Sequence, residues 1–134
     1  SSIIAGNSSY VGTGIDYFGY LPLSGVLPEN SLPKERIGKD DTIIPQKIAI
    51  FRDLLHKLEK KHINTYVVIS PMYSFYTEGL TIEVCKEIIK DMKHVKFLNY
   101  LNHEDYYDRT LFKDPTHLNQ DGAKKFTAQI VEEL

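Results

Sequence analysis

Tryptophan is absent and cysteine occurs once, at Cys85, so no internal disulfide can staple this chain. No basic run is longer than the pairs Lys60-Lys61 and Lys124-Lys125, and the formal net charge is −2. Polyanions select clustered cations, so neither a nucleic-acid partner nor an anionic membrane surface is expected. No stretch approaches the roughly 18 apolar residues of a membrane span, and no signal peptide is recognisable, so no membrane insertion is expected. What is present suits one globular domain: 134 residues, 42% hydrophobic and 25% charged, enough for a single core. The opening "SSIIAG", without an initiator methionine, is compatible with a processed protein or an excised fragment.

The chain divides near residue 40. Residues 1–40 are rich in Gly, Ser, Pro and Tyr, and "GYLPLSGVLPENSLP" places Pro22, Pro28 and Pro33 where they exclude a long helix. This segment is expected to be irregular, wrapping over the rest or lying beside missing chain. Residues 41–134 are expected to form the α/β part. There Pro45 opens an amphipathic helix in which Ile48, Phe51, Leu55 and Leu58 recur every three or four residues. "NTYVVISP" reads as a buried strand ended by Pro71. A second helix puts Cys85, Ile88, Ile89 and Met92 on one face, and "VKFLNYL" is a second strand. The closing helix faces inward with Ala123, Phe126, Ile130 and Val131. Helices alternating with short apolar strands imply parallel strands joined by right-handed crossovers. Two strands are too few for such a sheet, so it is expected to be completed either by "SSIIA" and "YVG" or by strands from outside this sequence.

Ligands of open parallel sheets gather beyond the carboxyl ends of the strands. Two loops should emerge there, "SPMYSFYTEG" and "NHEDYYDRTLFKDPTHLNQ". The second contains Asp114 three positions before His117. An imidazole acting as base needs one nitrogen for the nucleophile's proton and the other held by an acceptor, and a nearby carboxylate provides that hold. A tight turn through Pro115 and Thr116 would bring the two together, and Gly122 and Ala123 would let the last helix approach the sheet. The alternative is ordinary loop chemistry. Asp before Pro opens turns, Asn119 or Asp121 caps the helix, and the pair merely braces it.

"LFKDPTHLNQDGAKKFT" resembles the closing motif of the SGNH/GDSL hydrolase superfamily, whose Asp-x-x-His precedes the C-terminal helix. "YVVISPMY" and "GYLPLSG" are similar to other segments of a group of uncharacterised bacterial SGNH-like proteins, and the likeness runs from about Gly19 to Leu134. The resemblance implies a three-layer α/β/α fold with a parallel, flavodoxin-like sheet, here incomplete. It implies ester hydrolysis or acyl transfer on an O-acyl carbohydrate, with His117 as base and Asp114 as its orienting partner. No cofactor is implied, and the cell envelope or periplasm is the expected location. The family's nucleophilic serine lies far upstream of the closing motif. In "AGNSSY", Ser8 occupies a Gly-x-Ser-like position, but Asn7 replaces the family's aspartate and too little chain follows for the intervening strands. The nucleophile is therefore expected to lie outside this sequence.

Other residues carry weaker readings. Ser70, Tyr73 and Ser74 lie in the first site-side loop and are candidates to face substrate, the serines being otherwise turn residues. Tyr73, Tyr76, Tyr106 and Tyr107 are suited either to stacking on sugar rings or to packing. His103, Glu104, Asp105 and Asp108 lack metal-ligand spacing and read as a solvated acidic loop, so no metal is expected. His56, His62 and His94 read as surface residues. An uncovered sheet edge would favour a homodimer. A non-catalytic module that binds glycan or protein through its aromatic loops is the competing function.

Overall fold

A computed structural model describes residues 21–37, 42–77 and 79–134. In chain order the elements are β1 (Lys34–Ile37), α1 (Pro45–Lys60), β2 (Thr65–Ile69), β3 (Ser74–Thr77), α2 (Leu80–Ile89), β4 (Val95–Asn99), β5 (Phe112–Asp114), β6 (His117–Leu118) and α3 (Gln120–Glu133). Two 3-10 turns, Glu104–Tyr106 and Arg109–Leu111, fill the loop after β4. The fold is mixed α/β with small parallel pairs. None of the helices among the described residues is long and apolar enough to cross a membrane.

The central pair is β2 with β4, parallel in register from Thr65 opposite Val95 to Ile69 opposite Asn99. Alternation along β4 sorts its side chains to two sides. Val95 and Phe97 join a cluster with Leu55 and Phe51 of α1 and Ile88 and Ile89 of α2. Leu98 packs on the opposite cluster, which contains Tyr100, Tyr106 and Phe112 and receives Phe126 and Ile130 of α3. The apolar stripes expected of α1 and α2 thus meet the strand residues expected to be buried. Val131 departs from expectation. It lies a further step round α3 and is 60% exposed.

Strands β1, β3, β5 and β6 arise in segments expected to be irregular or loop. β1, "KERI", pairs in parallel with β3, "SFYT", from Lys34 opposite Ser74 to Ile37 opposite Thr77. The division at residue 40 is therefore bridged. The proline-rich stretch ahead of β1 also lies against the C-terminal region, with Leu27 N donating to Phe112 O at 3.0 Å and Gln120 N to Leu23 O at 2.8 Å. Leu27 is itself a core residue. Prolines prevented a helix here but left backbone donors and acceptors that β5 and the start of α3 satisfy. The strands sought in "SSIIA" and "YVG" lie outside the described residues, as does Ser8. Within them, strands form three separate two-stranded pairs rather than one sheet.

Candidate active site

The Asp114–His117 segment is a tight antiparallel hairpin, with Asp114 opposite His117 and Pro115-Thr116 at its tip. Phe112 anchors it, being fully buried against Tyr73 at a ring distance of 5.6 Å. On the other side Asn119 locks the start of α3. Its Oδ1 accepts from the amides of Asp121 (3.1 Å) and Gly122 (3.0 Å), while Nδ2 donates to Gly25 O (2.9 Å) and Thr110 O (2.6 Å). Of the two capping candidates, Asn119 is thus the cap. Gly122 allows a close approach, but to the 3-10 turn rather than to the sheet. A Cβ there would lie 2.1 Å from Leu111 O and 2.9 Å from Leu118 Cδ2.

Within the hairpin the carboxylate is crowded with donors. Asp114 Oδ1 accepts from Thr116 N (2.9 Å), Thr116 Oγ1 (2.9 Å) and His117 N (3.0 Å). His117 Nδ1 lies 2.9 Å from both carboxylate oxygens. An ionised carboxylate only accepts, so Nδ1 carries the proton and Nε2 the lone pair. The Thr116 amide above all, helped by the His117 and Thr116 side chains, holds the Asp114 carboxyl down at about 2. The His117 side chain is 63% exposed, and no hydrogen bond to Nε2 occurs among the described residues. The arrangement can present a base to a neighbour arriving from outside.

The hairpin lies against the loop that leaves β2, where Tyr73 N donates to Pro115 O at 2.9 Å. The Asp114–His117 hairpin is thus seated on the segment that runs from the carboxyl end of β2 to the start of β3. Ser70 is exposed at the start of that loop. Tyr73 is not substrate-facing. It is 7% exposed, packs on Phe112 and donates its hydroxyl to Ser31 O at 3.1 Å, so its apolar ring went to the core and its polar tip to the proline-rich segment. Ser74 is also buried, and its Oγ has no hydrogen-bond partner among the described residues.

The acidic loop behaves as loop chemistry. His103 and Asp108 cap the two 3-10 turns, Asp108 Oδ1 accepting from Thr110 N at 2.9 Å and Thr110 Oγ1 at 2.6 Å. Tyr106 is a core residue bonded to Gln129 at 2.7 Å, whereas Tyr107 meets the exposed Phe75 ring at 5.0 Å beside a hollow of about 510 Å³. Neither that hollow nor one of about 470 Å³ at the start of α3 is lined by Asp114 or His117. Thr116 is the residue that sequence reading left as a mere turn former. Its only signal was a hydroxyl two positions after an aspartate, a spacing that closes side-chain turns. No family model, curated protein or solved structure matches this chain.

Proposed function

We propose that this chain is the C-terminal part of an SGNH-type esterase or acyl-transfer domain acting on an O-acyl, such as O-acetyl, carbohydrate. His117 is the general base and Asp114 its orienting partner. The nucleophilic serine and oxyanion donors come from outside the described residues. The observation that carries this reading is the position of His117 Nδ1, 2.9 Å from each Asp114 oxygen, on a ring otherwise open to solvent, in a hairpin seated on the β2–β3 connection. A serine placed at Nε2 would lose its proton to a ring already held in the right tautomer, and Asp114 would stabilise the imidazolium that forms.

The two apolar clusters flanking the β2–β4 pair support the three-layer, flavodoxin-like arrangement as part of the same reading. Ile50 and Leu54, 70% and 52% exposed on α1, leave an apolar surface that suits a homodimer or the remainder of such a domain. The second reading, a brace without catalysis, is favoured by the three turn donors on Asp114 Oδ1, which account for the carboxylate without any substrate.

Kinetics separate the two. In the protein as the cell makes it, turnover of an acetylated carbohydrate should fall by at least ~10³-fold in His117→Ala and by a similar factor in Asp114→Asn. Full turnover in His117→Ala would leave the brace. In the 134-residue chain alone, aryl acetate hydrolysis should not exceed that of His117→Ala. Turnover abolished by Ser8→Ala would move the nucleophile into this sequence.

A further inference from the structure

A second carboxylate–imidazole pair occupies the opposite end of the parallel strands. Glu59, in the last turn of α1, reaches the turn that enters β4. Its Oε1 accepts from Lys93 N at 3.0 Å and its Oε2 from His94 N at 2.8 Å, while Oε1 lies 3.1 Å from His94 Nδ1. Facing an anionic acceptor, Nδ1 of His94 is the protonated nitrogen and Nε2 carries the lone pair.

That lone-pair nitrogen is 3.4 Å from Nδ1 of His62, with the rings 4.7 Å apart and inclined at 79°. As a hydrogen bond this is long. It matches the separation, about 3.4 Å, of two imidazole nitrogens around a tetrahedral ion with bonds of about 2.0–2.1 Å. His62 has φ of 55°, in the left-handed region that favours glycine at the end of a helix. Its amide closes α1 on Glu59 O at 2.9 Å. A position suited to glycine instead carries an exposed imidazole aimed at a second imidazole, which a carboxylate fixes from behind. Carboxylate, histidine and ion in series is how metal-binding rings are oriented.

We propose that His62 and His94 form an open site for a borderline-soft transition metal ion. His62 Nδ1 and His94 Nε2 are its ligands, Glu59 orients His94, and water fills the remaining positions. Among the described residues no three His, Cys, Asp or Glu side chains converge as a full ligand set, so the site is weaker than a closed one. Lys93 and Lys96 line the adjoining hollow with His94. Their charge opposes any cation held by electrostatics alone, so the site selects ions that bond strongly to imidazole, such as zinc, copper or nickel, over magnesium or calcium.

The test is a titration of the untagged, metal-free chain with zinc chloride, read by melting temperature and by the ring ¹⁵N signals of its histidines. Zinc should raise the melting temperature and shift the His62 and His94 signals, leaving His56, His103 and His117 in place. Magnesium chloride should do neither. His62→Gly, which suits the backbone there and should fold, should weaken binding at least tenfold, whereas His117→Ala should not. A chain that ignores millimolar zinc, or a His62→Gly variant that binds as tightly as the parent, overturns the site. Neither result bears on the Asp114–His117 pair.

Discussion

The Asp114–His117 and Glu59–His94 pairs use the same contacts for different ends. Asp114 and His117 are three residues apart, face each other across a two-residue hairpin tip, and leave the ring 63% exposed. Glu59 and His94 are 35 residues apart, join the end of α1 to the start of β4, and leave the ring only 27% exposed. In the first pair the carboxylate also organises its own turn through Thr116. In the second it staples two elements by their backbone amides. A local pair makes an exposed, oriented base at little structural expense, whereas the distant pair contributes to the fold itself.

The largest effect should come from disturbing the seat of the local pair. Gly122→Ala drives a methyl into the Leu111 carbonyl, which cannot move without carrying the Arg109–Leu111 turn. We expect a loss of about 2–4 kcal/mol in denaturant unfolding, far more than the same change at an exposed helical glycine. Next is Glu59→Gln, which removes the charge and one of the acceptors shared by Lys93 and His94. Its melting temperature should fall further than that of Asp114→Asn. For Asp114→Asn we expect about 1 kcal/mol, because a carboxylate 44% exposed is strongly screened.

Acid sharpens the contrast. Both carboxyls are lowered on folding, Glu59 from 4.5 and Asp114 from 3.8, each to about 2. The stabilisation is therefore complete above about pH 5 and drains away as pH falls toward 2. Melting curves between pH 5 and 2 should lose part of this slope in each variant. The smallest effect has the opposite sign. Ser74→Ala removes a buried hydroxyl that has no partner among the described residues and should stabilise by up to about 1 kcal/mol.

Legibility in the sequence follows the same division between local and distant. α1, β2, α2, β4 and α3 were readable because each carries a local signal, a 3.6-residue periodicity in the helices and a short apolar run in β2 and β4. β1 and β3 were not. "KERI" and "SFYT" are four residues long, show no alternation of polar and apolar positions, and become strands only by pairing with each other across 40 residues. Asp114 and His117 were readable because their spacing is that of a turn. Glu59 and His94 were not, since nothing local links them and each looks like a solvated helix-end residue. Tyr73 failed for another reason. An aromatic ring with a hydroxyl suits a glycan platform and a core wedge equally, and only the packing with Phe112 and Ser31 decides.

The central claim is that Asp114 holds His117 as a base with its lone pair outward. It is tested most directly by ¹⁵N spectra of the His117 ring at alkaline pH, where the imidazole is neutral. The expected result is a proton on Nδ1 and none on Nε2 in the parent chain, with the preference lost in Asp114→Asn and weakened in Thr116→Val. A parent ring protonated at Nε2, or a tautomer indifferent to Asp114→Asn, would contradict it.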